Sequence, residues 1–310
     1  MLNIGTRGSP LALWQANAVR DALIAVHPAL TPDAVKIVVV KTSGDRMTAG
    51  PLRDLGGKGL FTKELEEMLL DGQLDCAVHS TKDMPTRLPD GLTLSAFLER
   101  ADPRDAWIAA GGESLDDLPR GAMIGTASLR RKAQLLARRP DLEIRVFRGN
   151  VETRLRKLAE GAAQATLLAM AGLIRLGRAD AATAALDIDI MLPAPAQGAV
   201  CIESRAGDDR MAALLAPLDH AATRSAVTAE RAFLAALEGS CRTPIAALAQ
   251  PDGQGGLRLD GRLIAPDGAH MFETTRHGDA ADAARLGHDA GIALRAEAGE
   301  DFMRRILEAG

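Results

Sequence analysis

The stretch Leu192-Pro193-Ala194-Pro195-Ala196-Gln197-Gly198, running into the apolar segment Ala199–Glu203, decides how this chain is divided. Two prolines among small residues can continue neither a helix nor a strand, so the stretch reads as a joint, and the apolar segment after it reads as one more strand. A second joint, Ala101-Asp102-Pro103, lies upstream, and the two bracket a middle segment of domain size. A strand that follows the second joint can return to the first sheet, which makes the first domain discontinuous and the pair of crossings a hinge. The expected division is residues 1–100 with 197–216, then 101–196, then 217–310.

Working outward, the first two thirds alternate short apolar runs with amphipathic segments. Val35–Val40, Leu74–Val78, Leu92–Phe97, Ile144–Phe147 and Thr166–Met170 are expected as strands between helices, an α/β pattern with mainly parallel sheets. Helix starts are explicit at Ser9-Pro10, at Ser128 before Leu129–Arg138, and at Asn150 before Val151–Glu160, which Gly161 ends. From Pro217 onward the pattern changes to a helix over Ala221–Leu237, three strands separated by Pro-Asp-Gly turns (Ile245–Ala249, Leu257–Ile264, Met271–Thr275) and a final helix. That is a smaller α+β domain with an antiparallel sheet.

A chain of 310 residues with 47% hydrophobic and 25% charged residues is an ordinary globular composition, long enough for more than one core. The net charge of -4 gives no reason to expect nucleic acid or an anionic membrane as partner, and two Trp, six Phe and no Tyr disfavour a base-stacking platform. The longest apolar stretch, Ala165–Ile174, is about half of a bilayer span. Three cysteines with no CxxC pair, and an amino terminus without the layout of a signal peptide, point to the reducing cytoplasm. The six histidines have no metal-ligand spacing.

The most informative region is Ser128–Lys157, where arginines and lysines far outnumber Asp141, Glu143 and Glu152. Arg130 and Arg131 fall in the first turn after Ser128, and Arg148 and Arg154 flank Asn150. Cations there oppose the helix dipole, so these four point to an anion site, whereas Arg138, Arg139, Arg145, Arg156 and Lys157 read as solvated helix faces. Thr6-Arg7-Gly8-Ser9-Pro10 repeats the arrangement in the first domain.

His79-Ser80-Thr81-Lys82-Asp83 follows an apolar strand, the place where open α/β sheets bind ligands. Lys82 and Asp83 fit either a charge-stabilising, proton-transferring pair or a surface ion pair, and His79 fits a hydrogen-bonded strand end. Cys76 and Cys201 lie in apolar runs and read as core. Cys241 lies in the loop Glu238-Gly239-Ser240-Cys241-Arg242-Thr243-Pro244, beside an arginine that would favour thiolate, and a structural role also fits that loop. Thr42–Phe61, with Gly44, Gly50, Gly56, Gly57 and Gly59, suits a lid that includes Lys58 and Phe61. A Walker phosphate loop fails there, because Lys58 is followed by Gly59-Leu60.

TRGSPLALWQ (6–15), GGKGLFTKELE (56–66), AVHSTKDMP (77–85), ERADPRDA (99–106), GTASLRR (125–131), FRGNVETRL (147–155), LPAPAQGAV (192–200) and LEGSCRTPI (237–245) stand in order along the whole chain. Together they resemble the hydroxymethylbilane synthase, or porphobilinogen deaminase, family. The resemblance implies two periplasmic-binding-protein-like (type II) domains plus a third, and an enzyme that joins four porphobilinogen units head to tail with release of ammonia. It implies a dipyrromethane cofactor linked by a thioether to Cys241. By motif position Arg7, Arg130, Arg131, Arg148, Arg154 and Arg175 would neutralise pyrrole carboxylates, with Ser9, Thr126 and Ser128 as hydroxyl donors. Lys82 would bind substrate carboxylates, and Asp83 would stabilise positive charge and assist proton transfer.

A small-molecule substrate and a monomer are expected. Three positions depart from the usual pattern: Ala127 and Ala196, where serine and glycine are common, and Asp54, where some relatives have lysine. A lost hydroxyl contact and a stiffer hinge are the expected consequences. The competing class is a bilobal receptor for a carboxylate or oxyanion without catalysis, which would need neither Cys241 nor Asp83. A cysteine-dependent acyl transferase lacks a histidine with a recognisable pairing motif.

Overall fold

The computed structural model describes residues 1–46, 62–240 and 243–308. Its strands, in chain order, are β1 (Leu2–Arg7), β2 (Val35–Val40), β3 (Cys76–Ser80), β4 (Leu92–Phe97), β5 (Asp105–Ala109), β6 (Met123–Gly125) and β7 (Glu143–Arg145). After these come β8 (Ala165–Ala169), β9 (Ala184–Ala185), β10 (Val200–Arg205), β11 (Ile245–Pro251), β12 (Gly256–Ile264) and β13 (Met271–Asp279). The chain divides into two compact units, Met1–Arg100 with Ala199–Arg224, and Ala101–Gly198 with Ser225–Gly310. Among the described residues no helix is long and apolar enough to cross a membrane.

In the first unit the strand order is β2-β1-β3-β10-β4, with β1 parallel to β2 and β3, and β10 antiparallel to β3 and β4. The strand after the second joint therefore lies in this sheet. β3 is buried from Cys76 to His79, as an unbroken apolar run requires of a strand covered on both faces. One face sets Ile4, Val78 and Ile202 against Ala16, Val19 and Leu23 of the helix Pro10–Val26. The opposite face sets Leu74 and Ala77 against Leu65 and Leu69 of the helix Lys63–Leu70. The Ser9 hydroxyl accepts the Ala12 N–H at 3.3 Å and Pro10 occupies the first helical position, so the expected cap is formed.

In the second unit the order is β7-β6-β8-β5-β9, with β6 parallel to β7 and β8, and β5 antiparallel to β8 and β9. Numbered within each unit, both sheets run second, first, third, the strand that follows a joint, fourth. This shared topology is that of the periplasmic-binding-protein-like fold, and the sheets are mixed because each joint-following strand runs against its neighbours. The apolar stretch Ala165–Ile174 splits between β8 and the helix Met170–Arg175.

The antiparallel sheet β11-β12-β13 belongs to the second unit. Period-two burial explains its placement. Ile245, Ala247 and Ala249 join the core built with Phe233, Leu294 and Phe302, while Ala246 and Leu248 face the other way onto Leu192 and Ile188. The Ala247 N–H is donated to the Pro193 carbonyl at 3.1 Å.

The two joint segments touch directly. Ala101 donates its N–H to the Gly198 carbonyl at 3.2 Å, and Gly198 has φ +90° with room for no side chain, since a Cβ would stand 2.5 Å from the Ala101 oxygen. Ala196 is left-handed with φ +62°. Its N–H is held by the Glu230 carboxylate, whose second oxygen accepts the Ala249 N–H at 2.7 Å. Glu230 is fully buried, and two backbone donors meet its charge.

Candidate functional site

The first unit carries one set of candidate residues on a single sheet edge. β1 and β3 are adjacent and parallel, so Arg7 at the end of β1 and Ser9 beyond it, and Lys82 and Asp83 after β3, stand at neighbouring carboxyl ends. Thr81–Asp83 form one short turn of helix whose Thr81 N–H is donated to the Ala199 carbonyl at 3.1 Å. Asp83 is exposed, and Arg7, Ser9 and Lys82 are half-buried. Gln15, one and a half turns into the helix that Ser9 caps, hydrogen-bonds the Ser80 hydroxyl at 2.8 Å and so ties that helix to the end of β3.

The second unit carries the other set, again on one edge. β7, β6 and β8 are parallel, and their carboxyl ends lead respectively to Arg148 and Arg154, to Thr126, Ser128, Arg130 and Arg131, and to Arg175. Ser128 caps Leu129–Arg138 by accepting the Arg131 N–H, and Asn150 caps Val151–Ala159 by accepting the Thr153 N–H at 2.9 Å. Thr126 is buried beside β7, with its N–H on the Arg145 carbonyl at 2.8 Å. Arg154 Nε is donated to the Gly149 carbonyl at 2.9 Å, and Arg175 Nη2 to the Gly198 carbonyl at 2.7 Å. Burial lowers the Arg175 pKa below the usual guanidinium value.

Arg130 and Arg131 are 4% and 5% exposed, and the anion they meet is the chain's own Asp105. Arg130 Nη1 binds one carboxylate oxygen at 2.8 Å and the Leu192 carbonyl at 2.7 Å. Arg131 binds the other oxygen through Nε at 3.0 Å and Nη2 at 2.6 Å, and gives Nη1 to the Leu167 carbonyl at 2.9 Å. Gln197 Nε2 adds a contact to Asp105 at 3.1 Å. Burial pushes the Asp105 carboxyl up, yet the two guanidiniums outweigh it and hold the group well below the usual carboxylate range. Burial likewise lowers the Arg130 pKa, against the pull of Asp105. This shared carboxylate is why two cations tolerate the first turn of a helix.

Two other arginines of this region form ion pairs, Arg138 with the exposed Asp116 at 2.7 Å and the half-buried Arg139 with Asp141 at 2.8 Å. Cys76 and Cys201 are buried and form no disulfide, and burial raises the Cys76 thiol pKa to about 12. Cys241 lies outside the described residues, as do Asp54, Lys58 and Phe61. The residues flanking it clasp each other: Ser240 N–H is donated to Thr243 Oγ1 at 2.9 Å, and Thr243 Oγ1–H to the Ser240 carbonyl at 2.8 Å. Asp105, Gln15 and Glu230 are residues of this machinery that sequence reasoning passed over. The only available signal for Asp105 was an acidic residue opening an apolar run inside ERADPRDA.

A family model described as "Porphobilinogen deaminase, dipyromethane cofactor binding domain" matches residues 2–213, and one described as "Porphobilinogen deaminase, C-terminal domain" matches residues 225–296. The chain belongs to the porphobilinogen deaminase family. Its relatives include the porphobilinogen deaminase of Nitrobacter hamburgensis, 55% identical over 97% of this chain and 95% of the relative. That of Paracoccus denitrificans is 53% identical over 97% and 96%, and the chloroplastic one of Pisum sativum is 53% identical over 97% and 83%.

The activity is that of the porphobilinogen deaminase family, a transferase of tetrapyrrole synthesis that polymerises four porphobilinogen molecules with release of ammonia and uses a dipyrromethane cofactor. Membership sets aside a bilobal receptor without catalysis. Among solved structures the chain is similar to a TRAP periplasmic solute binding protein from Desulfovibrio salexigens, 12% identical over 70% of this chain and 72% of that one, TM-score 0.42. It is also similar to the BvgS periplasmic VFT2 domain of Bordetella pertussis, 17% identical over 69% and 85%, TM-score 0.39.

Proposed function

We propose that Cys241 carries the dipyrromethane by a thioether and that the two sheet edges supply the groups that hold and protonate the growing chain. The reading is carried by one observation: the carboxyl ends of β7, β6 and β8 bring Thr126, Ser128, Arg148, Arg154 and Arg175 to a single edge. That donor set, cationic forks beside hydroxyls and a helix start, suits acetate and propionate groups, so the residues present fit the cofactor chemically. When bound, the cofactor supplies a primer with a free pyrrole α-carbon.

The chain's own residues do the rest. Arg148 and Arg154 neutralise carboxylates at the edge, and Thr126 and Ser128 add hydroxyl donors. Arg130 and Arg131 contribute through the Asp105 cluster, which leaves a net positive charge of one inside the unit. Arg7, Ser9 and Lys82 hold substrate carboxylates at the other edge. Asp83, exposed at the end of β3, takes the proton-transfer role, because a carboxylate stabilises the cation left when ammonia departs and can move a proton to or from it. The cofactor tether lies in a third domain, residues 217–310, and the enzyme acts as a cytoplasmic monomer.

Turnover of purified holoenzyme tests this. Asp83→Asn should retain the bound pyrroles yet lose about 100-fold or more in kcat. A near-normal rate in Asp83→Asn would remove Asp83 from the mechanism.

A further inference from the structure

One face of the first unit's sheet holds a buried polar cluster that the reaction as described does not use. Register places Cys201 opposite His79 and Glu203 opposite Ala77, so His79 and Glu203 share the face on which Ala77 meets the helix Lys63–Leu70. That helix contributes Glu66. Glu66, His79 and Glu203 are 7%, 6% and 0% exposed, and His79 Nε2 lies 3.1 Å from Glu203 Oε2. Among the described residues, Glu66 Oε1, Glu203 Oε1 and the hydroxyl oxygen of Thr81 are buried without a hydrogen-bond partner.

Charge and hydrogen bonds can be counted together. With both carboxylates ionised, two buried negative charges would share this face, and two carboxylate oxygens would have only the Thr81 hydroxyl among the orphaned atoms as a donor. A proton on Glu66 removes one of the two buried charges and adds a second O–H donor among three orphaned atoms. Burial raises the Glu66 pKa, helped by Glu203 and by Glu67 of its own helix, and opposed by a hydrogen bond from Thr62 and by His79.

We propose that Glu66 stays protonated and donates into the Glu203–His79 pair, and that the three together are positioning residues for the Lys82–Asp83 turn. His79 is two residues before Thr81, so anchoring its ring to β10 fixes the end of the strand from which the turn springs. The proposal rests on the reading of Asp83 as the proton-transfer group.

The test uses cofactor-loaded Glu66→Gln, Glu66→Ala, Glu203→Gln and Asp83→Asn, with infrared spectra and steady-state kinetics. At about pH 8, well above the ordinary glutamate pKa, the wild type should show a buried protonated-carboxyl C=O band that Glu66→Gln lacks. Glu66→Ala should lower kcat about tenfold, and the amide of Glu66→Gln, which keeps a donor, should recover most of it. Glu203→Gln should lower kcat about tenfold with KM changed less than about twofold.

Absence of the band overturns the proton assignment, even if Glu66→Ala fails to fold. Equal losses in Glu66→Gln and Glu66→Ala overturn it as well. Normal kcat in Glu203→Gln overturns the positioning role. High activity in Asp83→Asn would instead sink the Asp83 reading, and with it the turn's role, while the band still decides where the proton sits.

Discussion

Arg131 grips Asp105 with Nε and Nη2 on one carboxylate oxygen, at 3.0 and 2.6 Å, while Arg130 holds the other oxygen at 2.8 Å. All three side chains are almost wholly buried, so the cluster survives only because both guanidiniums reach the shared carboxylate and their spare donors reach the Leu167 and Leu192 carbonyls. Leu192 and Gln197 belong to the second joint and Asp105 follows the first. The cluster therefore fixes both joint segments to the helix Leu129–Arg138.

Removing the shared anion should be costly. Asp105→Asn leaves two buried guanidiniums without a counter-charge, and a loss of about 3–5 kcal/mol is expected in urea unfolding. A loss below about 1 kcal/mol would mean the arginines find other partners.

The same carboxylate gives an acid limb with a definite sign. Its folded pKa is depressed, so its contribution is present above the unfolded value near 3.9 and fades as pH falls toward the lower folded value. The stability gap between wild type and Asp105→Asn should shrink by about 1 kcal/mol between pH 6 and pH 3. A constant gap would contradict the depressed pKa.

Arginines at the edge and arginines in the cluster should fail differently. Arg148→Ala should keep the unfolding midpoint and lower kcat/KM roughly tenfold, through one lost charge-assisted contact. Arg130→Ala should lower the midpoint itself, because it leaves Asp105 half-paired. Kinetics and denaturation on the same preparations separate the two.

Ala196 sits in the left-handed region, φ +62°, where glycine is at ease. The conformation costs an alanine about 1–2 kcal/mol, and glycine returns part of that as unfolded-chain entropy, so Ala196→Gly should stabilise by up to about 1 kcal/mol. Loss of stability would show that the Glu230 contact to the Ala196 N–H depends on the side chain.

The fold was legible wherever a local rule acted. Ser9, Ser128 and Asn150 cap the helices expected of them, and Val35–Val40 and Leu92–Phe97 are strands to the residue. β5 and β6 escaped because three residues are too few for periodicity and because β5 opens on an aspartate. Arginines in a helix's first turn were legible as an anomaly, but the anion that satisfies them lies 25 and 26 residues away in sequence, and only the folded chain brings Asp105 there. Glu230 was hidden for the same reason, as its partners are the backbone N–H groups of Ala196 and Ala249, and any residue type offers those.

The most direct test of the covalent tether is the intact mass of the purified chain beside that of Cys241→Ser. The native chain should weigh more than its 310 residues by two linked pyrrole units, and Cys241→Ser should lack that increment and be inactive. An active chain with no added mass, or the same increment in Cys241→Ser, would contradict it.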